Sequence, residues 1–297
     1  MLQAFSPAHL PAPLPPGHRF PMTKYALVAE RLRSDGWRVA PAPLAAAADL
    51  ARAHDAAYLE AVARCALDAR AERRLGFPQS PELVRRSRAS VGGTVAAARW
   101  ALDHGLGVSL AGGTHHAFED RGEGFCVYND LVVAARTLLD EGAVERVLVV
   151  DLDVHQGNGT AAICAGDARV VTYSVHGARN YPFVKEASDL DVPLDDGTDD
   201  AGYLAALERT LPPLFAAVAP DLVLYQGGVD VLDGDRFGRL RLTEAGVAAR
   251  DRFVAELCGA AATPLATTLG GGYHAEVART VSAHAAGLTA IAERLGA

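Results

Sequence analysis

The sequence predicts an α/β fold with a three-layer α/β/α arrangement, in which helices cover both faces of a central, mostly parallel sheet. From about residue 107 onward, short apolar segments alternate with amphipathic segments of helical period, as expected for parallel strands joined by helices. Val147 to Val150 is apolar at every position, which is typical of a strand buried on both faces. Hydrophobic residues make up 50% of the 297 residues, enough for a large core. We expect one domain over residues 1–297.

The part of the chain before the sheet pattern predicts an extended segment and three helices. Prolines cluster in residues 1–20, which excludes a helix interior and indicates an extended segment on the surface. Apolar residues at helical spacing predict helices over residues 24–33, 54–69 and 84–103. The last of these is rich in alanine, the best helix former.

The remainder of the chain predicts five strands and five helices. The strands are expected at residues 107–111, 146–150, 170–174, 222–226 and 264–269. The helices are expected at about residues 130–141, 159–165, 199–218, 243–260 and 274–294. Polar and glycine-rich clusters follow most of these strands. Because open α/β sheets bind ligands at the carboxyl ends of their strands, these clusters are the candidate functional residues.

Charge and cysteine content exclude several classes of protein. The formal net charge of −8 argues against general affinity for nucleic acid and is compatible with a cationic substrate. No apolar run is long enough for a membrane helix, and the N-terminus lacks a signal-peptide pattern. The four cysteines are scattered, so neither a disulfide framework nor a CxxC zinc site is indicated. We expect a protein of the reducing cytoplasm that does not bind membranes; the oligomeric state stays open.

In the segment VLVVDLDVHQGNGT, an apolar run typical of a core is followed directly by polar residues that can bind a metal or a substrate. Asp151, Asp153 and His155 alternate after the predicted strand, which places the three side chains on one face. Acidic residues at a strand end can also cap the next helix. Two aspartates and a histidine within five residues nevertheless favour a metal site, with Asn158 as a nearby hydrogen-bond partner.

Two further clusters supply histidines and acids. His115 and His116 are adjacent on a loop that follows a strand and two glycines, where a functional role is expected because histidine titrates near neutrality. Asp230, Asp233 and Asp235 follow the strand at residues 222–226. A catalytic zinc with two Asp and one His needs only one of these acids, so the other two are expected in a solvated turn.

A fourth cluster places a tyrosine after a flexible turn. Tyr273 follows three glycines and the strand at residues 264–269. Such a tyrosine can simply pack its ring. Beside a metal, however, its hydroxyl can donate a hydrogen bond to a developing oxyanion.

The four clusters, in this order, resemble the zinc-dependent histone deacetylase family, which has the arginase/deacetylase fold. The resemblance covers most of the chain and is closest to class IV deacetylases and their bacterial relatives. The segments that carry it are HRFPMTKY, AHDAAYL, VGGT, GFCVYND, DLDVHQGNG and GDRFGRL.

The resemblance implies a role for individual residues of this chain. It implies zinc (Zn²⁺) ligands at Asp153, His155 and Asp230. It implies a catalytic pair, His115 and His116, hydrogen-bonded to Asp151 and Asn158 respectively, with Tyr273 as oxyanion donor. It implies that an acyl-lysine tunnel is formed by Gly124, Phe125, Tyr181, Phe237 and Gly272. A structural K⁺ ion near the zinc would use Asp151, Asp153, His155, Ser174 and Val175.

One departure from the family pattern concerns the histidine pair. Many members have Asp where this chain has Asn158. A neutral amide stabilises an imidazolium less than a carboxylate does, so we expect a lower pKa for His116 than for His115. His116 is therefore predicted to be the general base and His115 its electrostatic partner.

These residues predict a zinc-dependent amidohydrolase that removes an acetyl or longer acyl group from an acyl-lysine or a related N-acyl amine. An acetylpolyamine or another small amide is an alternative substrate, and Fe²⁺ is an alternative metal. A binuclear manganese ureohydrolase is disfavoured because Gly157 and Leu232 stand where the second metal would need ligands. A non-catalytic acyl-lysine binder is disfavoured because binding alone does not require His115, His116 and Tyr273 together.

Overall fold

The computed structural model describes residues 2–296, in which eight strands form one parallel sheet. The strands are β1 (Gln3–Ser6), β2 (Arg38–Pro41), β3 (Leu106–Ser109), β4 (Val147–Asp151), β5 (Val170–Gly177), β6 (Leu190–Leu194), β7 (Leu222–Gln226) and β8 (Leu265–Thr268). Their order across the sheet is β2-β1-β3-β8-β7-β4-β5-β6, and every neighbouring pair is parallel. Met1 and Ala297, which belong to the predicted segment 1–20 and domain 1–297, lie outside the described residues.

Ten helices of the described chain connect and cover these strands. They are α1 (Lys24–Ser34), α2 (Ala47–Leu50), α3 (Ala56–Ala63), α4 (Ala69–Leu75), α5 (Pro81–His104), α6 (Asp130–Asp140), α7 (Asn158–Cys164), α8 (Asp200–Val218), α9 (Glu244–Ala261) and α10 (Val277–Leu295). Within residues 2–296, none of them is long and apolar enough to span a lipid bilayer.

Strand β4 contributes alternate residues to two hydrophobic cores. Leu148 and Val150 belong to one buried cluster, whereas Val147 and Val149 belong to the other. This alternation follows from the two-residue period of a strand, which directs successive side chains to opposite faces of the sheet. The predicted α/β/α arrangement with a parallel sheet is therefore confirmed.

The beginning of the chain corrects the prediction of a surface segment over residues 1–20. Residues Gln3–Ser6 form β1, which pairs with β2 on one side and β3 on the other. Ala4 is completely buried. Strands β1 and β2 each contain only four residues, so their apolar patterns are too short to predict a strand, and pairing with the sheet decides their conformation.

The helix predicted over residues 54–69 is two helices, α3 and α4. Cys65, which follows α3, adopts a φ of 52°, a conformation that ends a helix. Asp68 then begins α4 as its N-cap and accepts hydrogen bonds from the backbone N–H groups of Arg70 and Ala71. The apolar spacing continues through the break, which is why the sequence predicts one helix.

The central strands end beside one another, and a buried arginine holds their loops together. Asp151, at the end of β4, is in register with Gln226 of β7. Arg250 of α9 is completely buried and donates from Nη1 to the carbonyl oxygens of Leu152 (3.1 Å) and Gly228 (2.7 Å). The loops after β4 and β7 are thereby fixed at the edge where the polar clusters meet.

Candidate active site

Asp153, His155 and Asp230 meet at the carboxyl ends of β4 and β7. One oxygen or nitrogen from each of the three buried side chains lies within 4.8 Å of the others. His155 Nδ1 is 2.9 Å from Asp153 Oδ1 and 3.2 Å from Asp230 Oδ2. The structure therefore brings together the three residues predicted as metal ligands.

The charge distribution of these residues fits a bound cation. Asp230 Oδ2 is buried, and no described residue donates a hydrogen bond to it. Burial favours neutral His155, but Asp230 and Asp153 raise its pKa to about 10. Two carboxylates and one imidazole form a known donor set for zinc, with a fourth position left for water or substrate. The residues present fit a zinc ion.

Two neighbours of Asp153 fix its orientation. Gln226 donates from Nε2 to Asp153 Oδ2 at 3.0 Å, and the backbone N–H of Gly271 donates to the same oxygen at 2.8 Å. A Cβ atom on Gly271 would lie 1.9 Å from Asp230 Oδ2, so only glycine fits there. Sequence reasoning did not single out Gln226, although a polar residue at the end of an apolar strand was a usable signal.

His115 and His116 lie side by side, with ring centroids 4.1 Å apart. His115 Nδ1 is 2.5 Å from Asp151 Oδ2, and His116 Nδ1 is 2.7 Å from Asn158 Oδ1. The structure therefore forms both predicted hydrogen bonds. Each ring has its Nδ1 engaged, so a neutral His116 that donates from Nδ1 keeps Nε2 as a proton acceptor.

The two histidines have pKa values displaced in opposite directions. Burial lowers the pKa of His115, but the adjacent Asp151 and Asp153 outweigh it and raise the pKa overall. Burial, together with the positive charges of His115 and His155, lowers the pKa of His116 well below its usual value. These opposite shifts favour a neutral His116 beside a charged His115, and a general base must be neutral to accept a proton.

Glu123 completes the surroundings of His116 and was not predicted. Its carboxylate is buried and accepts hydrogen bonds at Oε1 from Asn158 Nδ2 and from the Tyr181 hydroxyl, both at 2.8 Å. Arg121 Nε lies 3.6 Å from the other carboxylate oxygen. The sequence did contain a signal for Glu123: it is an acidic residue between two glycines, directly before residues predicted to form the tunnel.

The loop that carries the histidines is held by Asp130, at the start of α6. The Asp130 carboxylate accepts hydrogen bonds from the backbone N–H groups of Gly113 (3.1 Å) and Thr114 (2.7 Å) and from the Thr94 hydroxyl (2.6 Å). Gly113 has a φ of 68°, and a Cβ atom there would lie 2.6 Å from Gly270 Cα. Glycine is therefore required at position 113 by close contact with the backbone of Gly270.

A pocket of about 540 Å³ leads to the histidines and to Asp153 and His155. Four of the five predicted tunnel residues line it: Gly124, Phe125, Tyr181 and Phe237. Gly272 is the exception, because it is not among the described residues that line the pocket. Phe125 has a φ of 67°, which is strained for a non-glycine residue and is typical of functional sites. Phe20, which was not predicted, also lines the pocket.

Tyr273 lines the same pocket and is anchored by Asp235. The Tyr273 backbone N–H donates to Asp235 Oδ2 at 2.6 Å, and its ring centroid lies 4.9 Å from that of Phe237. Burial and the nearby Asp230 and Asp153 raise the pKa of Tyr273 well above its usual value, so the hydroxyl keeps its proton. A protonated phenol can donate a hydrogen bond to a substrate oxygen.

The three acids after β7 therefore have different environments. Asp233 is exposed, as expected for a solvated turn. Asp235 corrects that prediction, because it is buried and also accepts a hydrogen bond from the backbone N–H of Phe237 at 2.8 Å. Its carboxylate organises the loop between the predicted ligand Asp230 and the predicted tunnel residue Phe237.

Lys24 is a buried cation next to the site that sequence reasoning missed. Its ammonium donates to the carbonyl oxygen of Gly270 at 2.9 Å and lies 5.2 Å from the Tyr273 ring centroid. Burial lowers its pKa to about 8, although Asp230 and Asp153 favour the charged form. The sequence signal for this position was weak: a lysine at the start of a predicted helix, in the segment TKYALV.

Of the residues predicted to bind K⁺, Asp151 ends β4, Asp153 and His155 follow it, and Ser174 and Val175 lie on the neighbouring strand β5. Asp151 and Ser174 are in register across this strand pair, and Val175 follows on β5. The backbone N–H of Asp153 donates to Asp151 Oδ1 at 3.2 Å. Ser174 Oγ also lies 3.0 Å from His176 Nδ1.

Two relatives of known sequence align with most of the chain, and a third aligns with little more than half of it. An uncharacterized protein of Picosynechococcus is 45% identical over 276 residues, which cover 92% of each chain. Histone deacetylase 2 of Arabidopsis thaliana is 32% identical over 278 residues, covering 89% of this chain and 72% of the relative. The acetoin utilization protein AcuC of Staphylococcus aureus is 33% identical over 179 residues, covering 56% of this chain and 46% of the relative.

A solved structure and a family profile extend the comparison. The crystal structure of the HDA15 HD domain shares the fold, with a TM-score of 0.80 at 23% identity, covering 99% of this chain and 88% of that one. The profile described as the histone deacetylase domain matches residues 18–288. The chain therefore belongs to the histone deacetylase family of hydrolases that act on amide bonds.

Proposed function

We propose that the protein is a zinc-dependent deacylase that hydrolyses the amide of an N-acyl-lysine or a related N-acyl amine. The observation that carries this proposal is the convergence of two groups of side chains at one pocket. Asp153, His155 and Asp230 fit a metal ion, while His115, His116 and Tyr273 supply proton transfer and hydrogen bonding. Membership of the histone deacetylase family supports the same reaction.

The histidine pair and Tyr273 each have a part in this hydrolysis. A bound zinc ion would lower the pKa of water and polarise the acyl carbonyl. Neutral His116 accepts a proton at Nε2 from the attacking water. The Tyr273 hydroxyl donates a hydrogen bond to the carbonyl oxygen as negative charge develops there. Charged His115 stabilises the same negative charge, and the histidine pair returns a proton to the leaving amine.

The donor set supports a single divalent ion. Among residues 2–296, Asp153, His155 and Asp230 are the one cluster of three His, Cys, Asp or Glu side chains with metal-binding spacing. A binuclear ureohydrolase would need further ligands near Gly157 and Leu232. Metal analysis of the purified protein should find about one divalent ion per chain, and two manganese ions would contradict the proposal.

Several finer assignments belong to the same proposal. We assign the protein to the class IV-like branch, place its K⁺ at Asp151, Ser174 and the adjacent backbone, and place it in the cytoplasm. The four cysteines are free, which agrees with a reducing compartment. Activity that depends on K⁺ and is not restored by Na⁺ would support the K⁺ assignment.

The test is a panel of amide substrates with the purified protein loaded with Zn²⁺ or Fe²⁺. Acyl groups from acetyl to myristoyl are presented on a lysine peptide and on polyamines, and the metal-free protein is the control. We expect metal-dependent release of the free amine from at least one acyl-lysine peptide. Binding without turnover would favour the non-catalytic binder, and cleavage restricted to polyamines would favour the small-molecule alternative.

A further inference from the structure

The solvent-exposed part of the pocket wall is rich in arginine. Five arginines line the pocket: Arg19, Arg74, Arg179, Arg236 and Arg239. Asp153, at the metal triad, is the only carboxylate of the described chain that lines it. The whole chain carries a formal net charge of −8. Cations are thus concentrated in the wall of the pocket that leads to the metal triad.

These arginines are poorly neutralised by neighbouring acids. Arg179 and Arg239 share a single carboxylate, with Nε at 3.5 Å and Nη1 at 3.3 Å from Asp196 Oδ2. Arg19, Arg74 and Arg236 are exposed, and no Asp or Glu among the described residues pairs with them. We call the five residues the arginine rim. It presents an excess of positive charge to the solvent.

The arginine rim is assembled from four separate parts of the chain. Arg19 precedes α1, Arg74 lies in α4, Arg179 follows β5, and Arg236 and Arg239 follow β7. Charges on different sides of one opening reinforce their potential inside it. Their effect reaches groups within a Debye length, about 8 Å at physiological ionic strength. We expect the residues that flank an inserted lysine to lie within that distance of these arginines.

We propose that the arginine rim selects acyl-lysines whose neighbouring residues are Asp or Glu and rejects cationic substrates. This inference rests on the proposed deacylase function. An acetylpolyamine keeps one or more ammonium groups, and a lysine-rich peptide keeps several, so both bring like charges among the arginines. The overall negative charge, which by itself is compatible with a cationic substrate, is therefore reversed locally where the substrate enters.

An exposed aromatic residue beside the arginine rim favours a peptide over a small anion. Phe183 lines the pocket and is 84% exposed, and Val184 next to it is 83% exposed. The ring centroid of Phe183 lies 6.2 Å from that of Tyr181, in the pocket wall. An apolar side chain of a bound peptide can cover Phe183 while the acyl-lysine enters the pocket and acidic neighbours meet the arginines.

The first test uses the unmodified, zinc-loaded protein. Three acetyl-lysine peptides of equal length carry acidic, neutral or basic residues on both sides of the lysine, and N-acetylspermidine is a fourth substrate. We expect kcat/KM to fall about tenfold from acidic to neutral and again from neutral to basic at low salt. The spread should shrink at high salt, because screening weakens attraction and repulsion alike.

The second test reverses the charge of the rim. The triple variant Arg19→Glu, Arg74→Glu, Arg236→Glu should reverse the order of the three peptides. The matched control is Arg33→Glu, Arg209→Glu, Arg252→Glu, which changes the net charge equally at exposed positions outside the pocket wall. The control should keep the original order. Thermal unfolding shows whether both triple variants are folded. If the rim variant is not folded, single Arg→Gln variants of the same three arginines replace it.

The outcomes separate this inference from the function on which it rests. Turnover of the neutral peptide with equal kcat/KM for all three peptides would overturn the rim inference and leave the deacylase proposal standing. A preference for the basic peptide or for N-acetylspermidine, or an equal shift in the control variant, would do the same. If the metal-loaded protein cleaves neither the peptides nor N-acetylspermidine, with acetyl or with longer acyl groups, both proposals fail.

Discussion

Asn158 connects His116 to a buried carboxylate: its Nδ2 donates to Glu123 Oε1 at 2.8 Å, while its Oδ1 lies 2.7 Å from His116 Nδ1. The carboxylate accepts hydrogen bonds only, so it fixes which end of the amide faces His116. With the oxygen turned toward the ring, His116 donates from Nδ1, and Nε2 stays free to accept a proton. Glu123 is therefore a positioning residue for His116.

Glu123→Ala is expected to lower kcat about tenfold, equivalent to about 1.4 kcal/mol, with a smaller change in KM. The amide of Asn158 loses the acceptor that orients it, so the population of correctly oriented His116 falls. Glu123→Gln keeps an oxygen acceptor and should restore most of the activity. Steady-state kinetics measure both effects.

Tyr181→Phe is the matched control for the Glu123 variants, because it removes the other hydrogen bond to the Glu123 carboxylate and leaves that of Asn158. We expect it to affect KM more than kcat, since Tyr181 lines the pocket. An unchanged kcat in folded Glu123→Ala would show that the carboxylate does not position the base.

Asn158→Asp is expected to lower the free energy of unfolding at neutral pH, because it places a second carboxylate beside Glu123. Adding Glu123→Gln should relieve that repulsion. The coupling energy between the two substitutions should fall in the range of about 0.5–3 kcal/mol found for contacting residues. Chemical denaturation of the wild type, both single variants and the double variant measures it. Additive effects would mean that the two side chains do not interact in solution.

The acid limb of the pH profile should lie below the ordinary range for histidine. His116 acts as a base only when neutral, and burial with two neighbouring imidazoles lowers its pKa well below 6.5. Its activity is therefore retained as the pH falls through 6.5 and is lost only at lower pH. In the Asn158→Asp, Glu123→Gln variant, a carboxylate next to His116 should raise that pKa and move the limb to higher pH.

Profiles of kcat/KM against pH for both proteins test this shift, with metal content measured at each pH as a control. An identical acid limb in the two proteins, with metal fully retained, would show that His116 is not the group that titrates.

Tyr273→Phe is expected to lower kcat by about 10²–10³, the effect of removing one oxyanion donor, or about 2.7–4 kcal/mol. The phenylalanine ring keeps the packing against Phe237, so folding and metal content should be retained. Kinetics and metal analysis of the same preparation measure the two properties. Unchanged kcat would exclude the oxyanion role.

Metal binding should become tighter with rising pH and should release a proton. In the metal-free site, burial opposes a proton on His155, but Asp230 and Asp153 raise its pKa to about 10, so the ring is protonated at pH 7–9. Zinc must displace that proton. Its affinity is therefore expected to rise about tenfold per pH unit in this window, until the pH reaches the pKa of His155.

Calorimetric titration with Zn²⁺ in buffers of different ionisation enthalpy counts the released protons. His155→Ala is the control and should bind zinc weakly, with little pH dependence. Affinity that does not change between pH 7 and 9 would contradict the proposed coupling.

Much of the fold followed from local pattern, and the exceptions have physical reasons. The apolar run Val147 to Val150 predicted a buried central strand, which is β4. Residues Gln3–Ser6 were predicted to lie on the surface, because four residues carry too little periodicity to show that they pair with β2 and β3. The break between α3 and α4 depends on one backbone conformation, at Cys65, that hydrophobic spacing does not encode.

The family and the α/β/α arrangement could be predicted from the amino-acid sequence. The residues proposed to carry the chemistry could be named from it as well, because they are grouped in short motifs at strand ends. Their supporting contacts and the charged residues of the pocket wall became apparent from the three-dimensional structure alone. Glu123, Gln226 and Lys24 act on residues far along the chain, and the arginine rim combines side chains from four separate parts of it. Such contacts depend on where loops meet in space, and no local spacing of residues specifies that.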